Sequence, residues 1–256
     1  MLEADLRAAL GRDELVLFYQ PQLTADGTRI VAVEGLARWR HPTQGLVPPN
    51  MFIPLAERIG LISAIGDWAL RQACRDLARW PTLDVSVNVS PKQFENADFA
   101  DHALAIVRSE NADPRRIELE ITENVLIDQP ERGRAILAAA RAHGFRIALD
   151  DFGTGYSSLS YLRHLALDRI KIDRSFVSEV NIPQGAAIVH AVAALGRALG
   201  LKVTAEGVET REQQIFLKAA GCHTLQGFYF SRPVPAEEID ALMAAQTKRL
   251  TPPRCA

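Results

Sequence analysis

The chain has 256 residues, 48% hydrophobic and 23% charged, with a formal net charge of −2. These are ordinary values for a globular domain, and nothing global in them favours a nucleic-acid polymer or an anionic membrane surface. An anionic ligand would have to be attracted by something local.

Cys74, Cys222 and Cys255 are far apart and odd in number, without metal-ligand spacing or a disulfide framework. No apolar run reaches the ~18–20 residues that cross a bilayer. Glu3, Asp5 and Arg7 near the start do not form a secretory leader. The chain reads as cytoplasmic, with no membrane segment.

In chain order, a short helix over Leu2–Leu10 precedes two strands, Val16–Gln22 and Ile30–Trp39. The stretch between them holds Asp26-Gly27 and is too short for a helix, so the pair reads as an antiparallel hairpin. Six further apolar β-type runs follow near Val85–Ser90, Arg116–Thr122, Arg146–Phe152, Arg169–Asp173, Lys202–Val208 and Leu225–Phe230. Helical patterns separate them. Over Ala186–Gly200, Ile188, Val192, Leu195 and Leu199 recur at helical spacing, and Gly200 suits the left-handed residue that ends a helix. Thr210 and Gln213 have capping-box spacing.

Strands alternating with helices imply parallel neighbours. Eight units close naturally into a barrel, with a doubly wound sheet as the main competitor. The expected fold is therefore a modified (β/α)8 barrel with one antiparallel strand near the N-terminus. It is expected as a single domain over 1–256, its ordered core about 12–246.

Strands buried on both faces should be nearly continuous apolar runs. Here acids, amides and one lysine interrupt them near their C-terminal halves: Glu34, Asn88, Glu120 with Glu123, Asp150-Asp151, Lys171 with Asp173, Glu206 with Glu209, and Gln226. In a barrel these positions converge on one mouth. Glu34, Glu120, Asp150, Asp151 and Glu206 would bring five negative charges there, and Lys171 one positive. Carboxylates that close cannot all stay ionised without a partner. Two divalent ions would balance them, and all-oxygen ligands point to Mg²⁺ or Mn²⁺. Such a two-metal site is suited to phosphodiester hydrolysis. Taken singly, an acid at a strand end is more often a helix cap or surface charge, so the signal is the set. Glu123, Glu209 and Asp173 read at least as readily as support. The stretch Gly153–Ser158 reads as a mobile loop, Arg38 as a phosphate clamp or an ordinary salt bridge, and the six histidines as structural or solvated.

These residues resemble the EAL domain family, whose members hydrolyse cyclic di-GMP to linear pGpG. The likeness runs from Leu15–Pro21 to Gln226–Pro233, through Asp150–Ser158, Lys171-Ile172-Asp173 and Ala205–Thr210. It implies metal ligands at Glu34, Asn88, Glu120, Asp150, Asp151 and Glu206, with Glu34, Asp150, Lys171 and Glu206 in the catalytic set. Lys171 would contact the nucleophilic water or the phosphate; Glu206 is a ligand through water or a base. Gln20, Arg38, Asp173 and Gln226 fall in the substrate-binding set, and Glu123 and Glu209 in the loop-supporting set. The resemblance also implies a homodimer and neighbouring sensor or cyclase domains.

The family's signature reads Glu34-Gly35-Leu36 here, with glycine where alanine is usual. The missing methyl is expected to cost roughly 0.5–1 kcal/mol in the strand. Because every matched position is present, catalysis is favoured over a receptor that binds the dinucleotide without cutting it. Nothing in the sequence argues for a scaffold that only contacts other proteins.

Overall fold

The computed structural model describes residues 2–123, 130–153 and 165–250, with side chains to 246. Nine strands form one sheet: β1 Leu15–Thr24, β2 Ile30–His41, β3 Gly45–Val47, β4 Asp84–Val89, β5 Ile117–Thr122, β6 Arg146–Phe152, β7 Arg169–Ile172, β8 Lys202–Ala205 and β9 Thr224–Leu225. Their order is β1-β9-β8-β7-β6-β5-β4-β2-β3, and a β1–β2 pairing closes the ring. Eight strands thus make a closed barrel, the expected fold. The ninth, β3, was not anticipated and extends β2 outside the ring.

From β2 through β4 to β9 the ring is parallel, whereas β1 runs antiparallel to both β2 and β9. The inferred hairpin turns at Gly27, where φ is +70°, with Thr24 N–H bonded to Arg29 O. That turn is the physical reason one strand of the ring is reversed: the five residues between Thr24 and Ile30 cannot hold a crossover helix.

The strand residues alternate in a way that explains the interrupted apolar runs. Val85, Val87, Leu119, Ile121, Ile147, Leu149, Ile170 and Ile172 belong to the main hydrophobic core. The residues between them, including Ser86, Glu118, Glu120, Arg169 and Lys171, are equally buried but polar. Their bonds run between strands that are not neighbours, such as Gln22 to Ser86 and Lys171 to Glu120. They therefore point into the barrel, while the apolar set points outward under the helices.

Several boundaries differ from expectation. Ser90 leaves β4 to cap a short 3-10 helix, and Arg116 sits in another just before β5. β8 stops at Ala205, not Val208, because Gly207 takes φ +68° and turns the chain from the ladder. β9 has two residues instead of six: Gly227 packs so closely on Val208 that a Cβ there would lie 2.1 Å from Val208 O. The helix read over Ala186–Gly200 spans Pro183–Leu199, with Gly200 at φ +71° as its left-handed end. It buries Val189, Val192 and Ala193 while Ile188 is exposed, because Gly196 lies hard against Val203 and rotates the contact face. The expected Thr210–Gln213 capping box is present.

The first residues of the chain are packed as well. The first helix, Leu2–Ala9, buries Leu6 and Ala9 in a second cluster with Trp39, Phe52 and Leu55. The last helix runs Ala236–Leu250. Among the described residues, no helix is long and apolar enough to cross a membrane.

Candidate metal and active site

Lys171 occupies the centre of the site. It extends from β7 into the barrel, 1% exposed, and its Nζ meets carboxylates from four other segments. Glu120 Oε2 of β5 and Glu206 Oε1, just after β8, are each 2.6 Å away; Asp150 Oδ1 of β6 is at 3.2 Å and Glu34 Oε2 of β2 at 3.6 Å. Burial alone would lower the ammonium's pKa, but these four acids outweigh it and raise it well above the usual lysine value. Lys171 therefore stays cationic.

Amides complete the ring. Asn88 Nδ2 donates to Glu34 Oε1 at 2.8 Å, leaving the asparagine's carbonyl oxygen as its remaining donor atom toward a metal. Gln226 Nε2 donates to Glu34 Oε2 at 2.6 Å and to Gln20 Oε1 at 3.0 Å. Gln20 Nε2 in turn reaches the Ser231 carbonyl.

A strand places successive side chains on opposite faces. Asp150 and Asp151 escape that rule because the β6–β7 register shifts between Leu149 and Phe152 and Asp151 adopts φ +52°. This bulge and left-handed residue bring both carboxylates to the mouth, with Asp151 N–H donating to Asp150 Oδ1. Ligand oxygens of Asp150, Asp151 and Glu206 all lie within 4.8 Å of one another.

The carboxylates do not share one pKa. Burial, then the Glu34 charge, pushes Glu120 well above the carboxylate range. Burial would raise Glu34 too, but Lys171, Gln226, Asn88 and Glu120 outweigh it and hold Glu34 low. Burial, opposed by Lys171 and aided by Asp150 and Glu34, lifts Glu206 to about 8. Burial together with Asp150 and Asp173 lifts Asp151 to about 6. The ring thus holds more acid than Lys171 can neutralise. Glu120 Oε1 is also buried and accepts no hydrogen bond from the described residues. Excess negative charge, clustered oxygens and an orphaned buried acceptor all fit a hard divalent cation.

Other sequence candidates fall around this centre. Glu123 is buried beyond the end of β5 and accepts the Gly153 N–H at 3.0 Å, tying the segment after the double aspartate. The rest of the loop called over Gly153–Ser158 lies outside the described residues. Arg38 projects from β2, four residues after Glu34. It is half-buried, bonded to the Ala37 carbonyl, with its guanidinium 5.9 Å from the Phe18 ring centre. Asp173 caps the following helix by accepting from Ser175 N and Oγ. Glu209 is exposed, and its backbone N–H, not its carboxylate, is bonded to Gln213.

The described histidines stand apart from the ring. His41, His102 and His143 pair with Asp5, Asp67 and Asp101, His190 packs edge-on to Phe216, and His223 accepts from Val203 N. Cys74 and Cys222 are buried free thiols.

Sequence reading passed over a second polar layer beneath the first. Arg169 and Glu118, each two residues before a site residue on the same strand, form a buried ion pair at 2.9 Å. Arg169 also donates to Thr204 and Thr224. The signal was available, since Glu118/Glu120 and Arg169/Lys171 share the spacing that places residues on one strand face.

Comparison with known proteins agrees with this geometry. The EAL domain family matches residues 3–233. A Pseudomonas aeruginosa protein described as a bifunctional diguanylate cyclase/cyclic di-GMP phosphodiesterase, MucR, is 45% identical over 246 residues, covering 94% of this chain and 36% of that protein. The cyclic di-GMP phosphodiesterase NbdA of the same organism is 41% identical over 258 residues, covering 98% of this chain and 33% of NbdA. The chain thus spans about a third of the length of these relatives. A solved structure described as the PaMucR phosphodiesterase in complex with c-di-GMP superposes with a TM-score of 0.90 at 45% identity, covering 93% of this chain and 99% of that one. The chain belongs to the EAL domain family.

Proposed function

We propose that this chain hydrolyses one phosphodiester bond of cyclic di-GMP to give linear pGpG, with two Mg²⁺ or Mn²⁺ ions bound at the barrel mouth. The ring of Glu34, Glu120, Asp150 and Glu206 around Lys171, with Asp151 beside it, carries the reading. Phosphodiesterase names among relatives and the cyclic di-GMP complex of a 45% identical structure support it.

Glu34, Asn88, Glu120, Asp150, Asp151 and Glu206 would hold the ions. Bound divalent ions supply charge neutralisation at the phosphate and acidify water at neutral pH. Lys171, held cationic, stabilises negative charge on the phosphate and offsets the repulsion among its acid neighbours. Glu206, lifted to about 8 chiefly by burial while no ion is bound, would give up its proton when it joins the ligand set. Gln20, Gln226 and Arg38 orient the dinucleotide, and Glu123 holds the Gly153 backbone. Asp173 belongs to the substrate-binding set in this reading, while it also caps the following helix and adds its charge beside Asp151. A cytoplasmic location, a homodimer and attached sensor or cyclase domains belong to the same reading; the greater length of the relatives supports the last.

Chromatography of cyclic di-GMP after incubation with the purified domain, with Mg²⁺, Mn²⁺ or chelator, tests the proposal. Metal-dependent pGpG is expected. Bound but intact dinucleotide would instead make the domain a receptor.

A further inference from the structure

A cavity of about 490 Å³ opens at the opposite end of the barrel from the carboxylate ring. It lies where β5 to β8 begin, and its charged lining comes from Glu118, Arg141, Arg146, Asp168, Arg169 and Lys202. Leu165, Leu167, Leu199 and Leu201 supply apolar wall. Small-ligand pockets run about 300–1,000 Å³, so the space suits a compact metabolite.

The charges are not balanced. Arg141 pairs with Asp168 at 3.1 Å, Arg146 with Asp84 at 2.5 Å, and Arg169 with Glu118 at 2.9 Å. Lys202 is exposed at the rim, without an ion pair among the described residues. Arg169 is over nine-tenths buried in the floor. Its Nε–H is used on Glu118 and its Nη1 on Thr204 and Thr224. Nη2 donates to no described residue, leaving two hydrogens of a buried guanidinium for another acceptor. The surroundings are electropositive: burial first, then Lys202, Arg169 and Arg197, lower the pKa of nearby His223.

We propose that this basal cavity is a binding site for a phosphomonoester on an apolar or aromatic body, the class of a nucleoside monophosphate, with its phosphate between Lys202 and Arg169 and its body against the leucine wall. The site is separate from the proposed catalytic mouth and does not depend on it. Because Arg169 and Glu118 each stand two residues from Lys171 and Glu120, the ligand would touch the layer that supports the carboxylate ring.

The test is calorimetric titration of the purified domain, in chelator, with guanosine monophosphate and separately with inorganic phosphate. Saturable binding of the nucleotide is expected, weakened about tenfold or more in Lys202→Glu, retained in Lys202→Arg and unchanged in Arg38→Ala at the mouth. Lys202 is exposed, so these variants should fold. Phosphate alone should bind more weakly, lacking the apolar contact. Nucleotide affinity unchanged by Lys202→Glu, or lost in Arg38→Ala, would overturn the proposal. Equal affinity for phosphate and nucleotide would overturn the assigned ligand class.

Discussion

Replacing protons by metal at the carboxylate ring should have a measurable stoichiometry. Without metal, Glu206 with a pKa of about 8 carries about 0.9 of a proton at pH 7, and Asp151 at about 6 carries about 0.1. Burial, then the Glu34 charge, pushes Glu120 above its usual value, so it favours the protonated form as well. Ligating oxygens must be deprotonated, so Glu206 and Asp151 together should release about one proton on loading at pH 7 and about 0.1 at pH 9, with any proton on Glu120 in addition. Apparent affinity for Mg²⁺ or Mn²⁺ should therefore rise with pH, less steeply above pH 8. Titration calorimetry in two buffers of different ionisation enthalpy reads the number directly. Zero release at pH 7, with affinity independent of pH, would refute the account of the ring as over-acidic and proton-stabilised. The same shifts set the stability of the metal-free domain. Glu206 and Asp151 have folded pKa values above their unfolded ones, so the folded state binds more protons. That stability is present at low pH and is lost as pH rises from about 4 to about 8. In chelator, the melting temperature should fall across that window.

Lys171→Met should leave uncompensated buried carboxylates and destabilise the chelated protein by about 3–5 kcal/mol at pH 8, partly restored by metal; urea melts with and without Mg²⁺ would show it, and equal stability would contradict the central role of the ammonium. Asp150→Ala should abolish turnover, checked by pGpG formation, and a fully active variant would sink the ligand assignment. Glu123→Ala removes the acceptor of the Gly153 N–H and should lower kcat roughly tenfold while cyclic di-GMP binding in Ca²⁺ persists; unchanged kinetics would leave Glu123 a packing residue. Gly35→Ala should stabilise the domain by about 0.5–1 kcal/mol in urea melts. The atoms nearest an added Cβ at Gly35 are Ser86 O at 3.4 Å and two side-chain carbons at 3.6 Å, ordinary contact distances, so the methyl has room. Destabilisation would mean that β2 does not tolerate it.

Much of the molecule can be read from local pattern. Alternating polar residues in β4 to β8 mark their inward positions, because a strand reverses its side chain at every residue. Asp26-Gly27 in a short connection dictates a hairpin, and Thr210 with Gln213 a helix start. Even the converging acids were visible as interruptions in apolar runs. The strand ends at Gly207 and Gly227 were not, since close approaches to Arg174 and Val208 set them, and those residues are distant in sequence. Nor could pattern show that Asp150 and Asp151 share a face; ideal alternation predicts the opposite, and a bulge decides it.

The sequence by itself determined which residues carry charge, which strands they sit on and which end of each strand they occupy. The tertiary structure alone decided that Lys171 meets four acids from separate segments, that Glu34 is held below its usual pKa while Glu120 is driven above, and that Arg169 lines a cavity at the far end. The physical reason is that strand periodicity is a property of the local backbone. Coulomb energy and desolvation depend on distances fixed only when β1 closes the barrel against β9.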